Sequence, residues 1–422
     1  MNNILFWYHE TMQYRKNKNT LRESMRSGRI RKARQKLRDQ AESVRSGRIC
    51  GIRQSSQGEK KKERNCSMYV KGVNLGNWLV LEKWMSPGLF AGTTAEDEYY
   101  LPAQLSPKVY EARIKTHRSE YITELDRAFA WAEKYGMKIL IDLHTAPMSQ
   151  NGFDNGGLSG VCRWAQLPEE VEFELNVLEK LAERYGKREG LLGITPINEP
   201  CTERTWEMLG VQRRYPPADP KLAEGSAPIT MDFLKEFYKN AYARIRKHLD
   251  EDKYVVFHDG FELKAWKDFF AEQDFRNIVL DTHMYLMVAE PDGCEQTVEG
   301  YRKYIEEHFA KDIAEVQEYV DVICGEWCLF NSYAVGTDTK GGQTVLNGMD
   351  FSENKETMDA EAKKQIYLQI AEAQLDAWKR GSGYFYWSYK LLLDTVNEPN
   401  WIGWDCWDLG KSAAMGWFPM GG

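Results

Sequence analysis

The eight cysteines, at positions 50, 66, 162, 201, 294, 324, 328 and 406, show no paired or C-x-x-C spacing. That excludes a disulfide scaffold or a zinc ribbon and fits the reduced thiols of a cytoplasmic protein. No run of about 18 apolar residues occurs, so no membrane-spanning helix is expected. The opening MNNILFWYHE lacks a basic segment followed by an apolar stretch of roughly 7 to 15 residues, so no signal peptide is expected either. No glycine-rich loop follows the last apolar segments and no lysine stands at a strand centre, which argues against phosphate-binding and Schiff-base barrels. His144 and His283 fall on separate strands without a local ligand cluster, so neither a metal nor another cofactor is expected.

Charge is unevenly shared along the 422 residues. The net charge is -7, yet residues 1–67 hold 18 Lys/Arg against 6 Asp/Glu, which leaves +12 there and -19 on the rest. Residues 20–44 could form a basic helix, and the element RSGRI occurs at 26–30 and again at 45–49. Such an arm reads either as a tether to nucleic acid or an anionic surface, or as a solvated, disordered extension. We expect the second, with no nucleic-acid partner: an extension over 1–67 and a folded domain over 68–422. Met68, directly before the first apolar strand, is a candidate start of translation.

The folded part alternates. Apolar runs at 69–75, 138–143, 192–197, 254–257, 277–282, 321–325 and 383–387 read as strands. Amphipathic helical segments at 169–185, 231–248 and about 360–380 lie between them. Earlier in the chain, Ser106-Pro107 caps a helix reaching about residue 121, and 124–135 forms another, with Leu125, Ala128, Phe129 and Ala132 on one face and Gly136 as its stop. Alternation of this kind gives a parallel sheet with function at its carboxyl edge. The fold expected is α/β, a (β/α)8 barrel, but only seven strands are counted, and the shortfall lies between residues 106 and 137. Pro196 removes a ladder donor and fits only if the strand has already ended or bulged there.

The chemistry sits where apolar strands end in polar residues. The stretch GITPINEP over 193–200 ends in Asn198 and Glu199, and VICGEW over 322–327 carries Glu326 at the same point. Two glutamates at the carboxyl ends of two strands of one sheet are what glycoside hydrolysis needs: a proton donor for the leaving oxygen and a partner for the anomeric carbon. For Glu199 the bland alternative is a helix cap or a pairing with Arg204. His144, His283, Tyr285 and Trp387 follow other strands. Each could be a satisfied core group, but together they suit a sugar, with hydroxyl partners and a flat apolar face.

The segments KGVNLGNWLVLEKW, LIDLHTAPMSQNGFDNGG, INEP, THMY, GEW and GYFYWSYK together resemble glycoside hydrolase family 5, in its exo-β-1,3-glucanase branch. The resemblance runs from residue 70 to about 410. It implies a TIM barrel and a retaining double displacement, with Glu199 as general acid/base and Glu326 as nucleophile. It also places His144, Asn198, His283, Tyr285 and Trp387 around the cleaved glucosyl unit, and implies a cis peptide at Trp387-Ser388. Glu82 and Asp154 match the pair that holds the hydroxyls of a terminal glucose, which implies exo action, and Phe153 is similar to an aromatic lining the leaving-group site. The expected substrate is a β-glucan or β-glucoside. The chain departs from the family at 121–126, where relatives insert a strand of the type VRIPV bearing an active-site arginine. Without it we expect a vacant slot between strands 69–75 and 138–143. The competing reading is an impaired remnant that binds sugar or folds poorly.

Overall fold

The computed structural model describes residues 3–7, 69–78, 80–110, 112–113, 121–290, 292–335, 344–345, 349–350, 358–393 and 404–419. Ten strands lie among them: β1 Asn3–Trp7, β2 Val70–Leu75, β3 Lys138–Asp142, β4 Leu191–Thr195, β5 Tyr254–His258, β6 Ile278–His283, β7 Asp321–Glu326, the two-residue pair β8 Thr344–Val345 and β9 Met349–Asp350, and β10 Gly383–Tyr386. Strands β2, β10, β7, β6, β5, β4 and β3 pair in that order, each parallel to the next. These are the seven strands expected from the sequence. Because all of them point one way, their carboxyl ends share one rim.

The interior is filled by one apolar side chain from each of the seven: Val70, Leu140, Leu192, Val256, Val279, Ile323 and Phe385. The largest of them, Phe385, lies over Gly72, where a Cβ would come within 2.0 Å of its ring. A bulky residue opposite a glycine is how unequal interior positions reach close packing. Outside the strands, helices cover the second face. Leu125, Ala128, Phe129 and Ala132 of the helix Tyr121–Tyr135 are buried as their spacing requires, with Phe129 stacked on Tyr185 of the helix Pro168–Tyr185 at 4.6 Å. Pro196 falls just beyond the end of β4, so no ladder donor is missing from the strand.

Two expectations change. The vacant slot between β2 and β3 holds β1, antiparallel to both, with Ile4 opposite Leu75 and Ile141. The barrel therefore closes through residues 3–7, paired on both sides. The physical reason is in the run NILFW, whose Ile, Phe and Trp favour a strand although the segment around it is polar and basic. Second, the helix Tyr121–Tyr135 runs unbroken through residues 123 and 124, and no strand lies between Leu75 and Lys138 among the described residues. The expected basic helix at 20–44 and the two RSGRI elements lie outside the described residues.

A comparison of the full chain with a 68–422 truncation tests the closure. In the full chain, amides of β2 and β3 that face β1 should exchange slowly. In the truncation they should exchange at least about tenfold faster, with a lower Tm. Equal protection in the two proteins would show that β1 does not close the barrel.

Candidate active site

Glu326 is the last residue of β7, and Glu199 stands four residues past the end of β4. Both carboxylates are buried. The backbone at Glu199 is left-handed, with φ 42°, a conformation that an ordinary side chain adopts only when its surroundings fix it. The neighbours that fix it are visible. Gln150 Nε2 donates to the carbonyls of His144 and Asn198, at 2.9 and 2.8 Å, and Asn198 N donates to Leu143 O, which ties the loop after β3 to the loop after β4. On the other side, Asn74 Nδ2 of β2 donates to Gly325 O at 2.8 Å, holding the end of β7. Gly325 itself is required by the approach of Asp281, whose Oδ1 would lie 2.1 Å from a Cβ.

The two glutamates meet at one imidazole. His283 Nδ1 lies 2.8 Å from Glu199 Oε1 and 3.5 Å from Glu326 Oε2, and its Nε2 lies 3.6 Å from Asp281 Oδ2. Asn155 Nδ2 donates to the other Glu199 oxygen at 2.7 Å, and Tyr285 Oη donates to Glu326 Oε2 at 2.8 Å. The two facing carboxylate oxygens can be no farther apart than these two legs allow. That is compatible with the separation of roughly 5 to 5.5 Å found in retaining glycosidases.

This geometry decides where protons reside. Burial acts to raise Glu199, but the hydrogen bond and charge of His283, helped by the Asn155 amide, hold its carboxyl below the usual range. Glu326 goes the other way: burial and the Glu199 charge push it well above the usual range, against the pull of His283 and Tyr285. His283 is held well above an ordinary histidine, against its own burial, by Glu326, Asp281 and Glu199. Its hydrogen bonds and ion pairs make it the cation that faces the nucleophile position. The relatives' arginine has no counterpart there among the described contacts of Glu326, which run to Tyr285 and His283.

The other expected residues gather around this pair. The His144 ring stacks parallel to Trp387 at 5.7 Å and bonds Asp142 Oδ2 through Nδ1 at 2.9 Å. The Trp387–Ser388 peptide is cis, as the resemblance implies. Asn198 leaves its Nδ2 buried without a partner among the described residues, and Glu82 likewise leaves Oε1. The second Glu82 oxygen accepts from Trp84 Nε1 at 2.8 Å. Burial, then the charge of Asp154, raises Glu82 to about 8, and burial raises Asp154 to about 6 with a contribution from Glu199. Glu82 therefore feels the charges of both Asp154 and Glu199, and Asp154 that of Glu199. Phe153 is set apart: it is buried with Cys201 and Val211 and tilts against Tyr215 at 5.5 Å.

Sequence reasoning missed several polar groups of this rim. His258 ends β5 one residue beyond the apolar run that was read as the strand. Asp142 ends β3 and Asp259 directly follows β5, and the rule that found Glu199 would have found them too, whereas Asp281 lies within β6. Asn155 had no such signal, because only the loop's fold brings it to Glu199. One group of donors could hold a metal by distance alone: Glu199, His258 and His283 each offer an atom within 4.8 Å of the others. However, His258 Nδ1 accepts from Gly260 N at 2.9 Å, so its proton is on Nε2 and neither nitrogen has a free lone pair for a cation.

Comparison with known proteins agrees with this architecture. Residues 99–357 match the model of the family described as "Cellulase (glycosyl hydrolase family 5)". The "Probable glucan 1,3-beta-glucosidase A" of Emericella nidulans is 30% identical over 412 residues, covering 83% of this chain and 90% of that protein. The "Glucan 1,3-beta-glucosidase" of Kluyveromyces lactis is 28% identical and covers 83% and 88% respectively. Among solved structures, the rutinosidase from Aspergillus niger shares the fold with a TM-score of 0.52 at 18% identity, over 77% of this chain and 90% of that one. The strand-end glutamate pair, the barrel that carries it and the match over most of the domain lead to one assignment: the chain belongs to glycosyl hydrolase family 5.

Proposed function

We propose that this protein is a retaining glycoside hydrolase that removes terminal glucosyl units from β-1,3-glucans or β-glucosides. The observation that carries the reading is the single imidazole of His283 held between two buried strand-end carboxylates. Glu326 attacks the anomeric carbon while Glu199 protonates the leaving oxygen, and a glycosyl-enzyme ester forms on Glu326. Glu199, now a carboxylate, then takes a proton from the water that hydrolyses the ester. Before the first step the proton must sit on Glu199 and not on Glu326. His283 Nδ1 contacts both carboxylates, so proton exchange between them needs no large movement.

The remaining residues take roles that their exposed valences suit. The unpaired Nδ2 of Asn198 and Oε1 of Glu82 are a donor and an acceptor for sugar hydroxyls; left dry, each would cost about 1–3 kcal/mol. Trp387, stacked on His144, supplies a flat apolar face for the ring. Glu82 and Asp154 close the glucose site, which gives exo action, and Phe153 stiffens the leaving-group wall. No cofactor enters these steps. No helix among the described residues is long and apolar enough to cross a membrane. The six described cysteines are all free and buried, which suits a reducing compartment such as the cytoplasm. The impaired-remnant reading rests on the lack of an arginine among the described contacts of Glu326. An assembled pair of carboxylates, with its histidine and tyrosine in place, favours the enzyme.

Glu326→Gln should leave the fold intact and reduce turnover of an aryl β-glucoside to less than roughly a hundredth. Higher residual activity would remove the nucleophile assignment. Glu199→Ala should accumulate glycosyl-enzyme from an activated aryl glucoside, and added azide should speed its release. An active variant that azide does not rescue would count against the acid/base role.

The pH dependence follows from the directions above. Turnover needs one proton on the carboxylate pair, and the arrangement with Glu199 protonated and Glu326 ionised is a fixed fraction of the singly protonated pair. The acid limb of kcat/KM therefore follows the lowered Glu199 side, and the alkaline limb follows the raised Glu326 side and should lie clearly above the roughly 4.3 of an ordinary glutamate. Both values belong to the coupled cluster rather than to single residues. An alkaline limb at about pH 4 to 5 would contradict the raised Glu326.

A further inference from the structure

Trp407 takes no part in the steps above, yet this buried ring touches two of the side chains that hold carboxylates of the site. It ends the short helical turn Trp404–Trp407. Its indole lies 5.3 Å from the ring of Tyr285, tilted by 34°, and 5.4 Å from that of Trp84, at 64°. Tyr285 Oη donates to Glu326 Oε2 at 2.8 Å, and Trp84 Nε1 donates to Glu82 Oε2 at 2.8 Å. Tyr285 and Trp84 are only half-buried, so the packing on their covered side decides where each polar end points. For Tyr285 that packing is specific: among the described residues, Trp407 is its one aromatic neighbour.

The indole is itself firmly held. It stacks on Trp404 at 5.7 Å and 14°, meets Phe330 at 5.8 Å, and is joined through its backbone to the residue after Trp387: Ser388 N donates to Trp407 O at 2.7 Å. Leu409 N returns a bond to Ser388 O at 3.0 Å. Buried Asp408 accepts Leu391 N at 3.0 Å on one oxygen and Lys411 N at 2.8 Å on the other, and Tyr386 Oη of β10 donates to Cys406 O. Trp407 Nε1 has no partner among the described residues, so the ring offers flat surface and volume rather than a hydrogen bond. We propose that Trp407 is a positioning residue for the nucleophile: its ring is the wall that keeps the Tyr285 hydroxyl on Glu326. This rests on the assignment of Glu326 given above.

The direction of the effect follows from that hydrogen bond. A hydroxyl donated to a carboxylate favours the ionised form, which is the form in which Glu326 attacks. Burial and the Glu199 charge raise Glu326, and the Tyr285 hydroxyl is one of the groups that oppose them. Without the wall the hydroxyl is no longer confined to Glu326, so the carboxyl rises further. Glu326 also faces His283 of β6, Glu199 after β4 and Asp142 of β3, while Cys328, two residues past β7, acts on Tyr285. Near Trp407 itself, Asp405 and Lys411 pair at 2.7 Å. A substitution at 407 leaves all of these side chains in the chain, so the change it makes is in packing and not in charge.

The experiment compares Trp407→Leu, Trp407→Phe and Tyr285→Phe, and combines the first with the last. Tyr285→Phe removes the donor outright, so the alkaline limb of kcat/KM should move up by roughly half a pH unit or more. Trp407→Leu should move it the same way by at least about half as much, and combined with Tyr285→Phe it should add nothing to the shift of Tyr285→Phe alone. Trp407→Phe restores a flat ring and should bring the limb back to within roughly 0.2 of a pH unit of wild type. An unmoved limb in the Leu variant, or shifts that add in the combined one, would overturn the proposal and leave the Glu326 assignment standing. Trp407→Met, which fills space without a rigid face, replaces Leu if that variant does not fold. Loss of fold in both would mark Trp407 as a general core residue and overturn the proposal as well. Carbon-13 spectra of chains labelled at tyrosine Cζ give a readout that does not need turnover. The Tyr285 signal, identified by its loss in Tyr285→Phe, should follow the titration of Glu326 in the wild type and lose at least about half of that pH-dependent change in the Leu or Met variant. An undiminished change would overturn the proposal even if the wild-type chain shows no turnover, which would separately refute the proposed function.

Discussion

One cation, His283, is surrounded by three buried carboxylates from three strands: Glu199, Asp281 and Glu326. Charges buried at this density cannot all remain ionised, because desolvation disfavours each and their mutual repulsion disfavours them together. The imidazole between the two glutamates makes the arrangement stable in one protonation state and reactive in another. Everything around it serves to keep that ring in place: the β6 strand that carries it, the Asp281 side chain behind it, the close packing against Gly325 and the edge of His258.

The opposite displacement of the two glutamates has the same origin. Glu199 has His283 and the Asn155 amide as hydrogen-bond donors, whereas Glu326 has Tyr285 and the more distant side of the same imidazole. With the closer cation on Glu199, the sugar-free site favours the proton on the nucleophile side. A second cation beside Glu326, where the described side-chain contacts are Tyr285 and His283, would reverse that order. In the proposed reaction, catalysis then draws on the minor protonation state of the pair, so the proton's route through His283 becomes part of the mechanism rather than a detail of it.

Closure of the barrel shows a constraint of a different kind. Hydrogen-bonding groups on a strand edge need partners, and a backbone partner need not come from the homologous position or run in the usual direction. The antiparallel strand β1 meets the requirement at β2 and β3 through backbone pairing alone. Fold integrity and catalytic composition are thus separable in this chain: backbone pairing completes the first, while the second depends on particular side chains at the rim.

The seven parallel strands, the helices between them and the two rim glutamates were legible in the sequence because local patterns encode them. An apolar run fixes a strand, its last polar residue marks the rim, and alternation with amphipathic helices sets the direction of the sheet. His258 was passed over only because its strand was read one residue short. The partner of β2 and β3 was not legible, since pairing between residues 3–7 and residues 70–75 or 138–142 is non-local and leaves no periodic trace. Nor could the sequence say that Asn155 reaches Glu199 while Phe153, two residues before it, turns into a separate apolar cluster. Sequence determined which residues stand at the rim. Tertiary structure alone decided which of them share a proton, because that depends on distances of a few ångströms between side chains brought together from different strands.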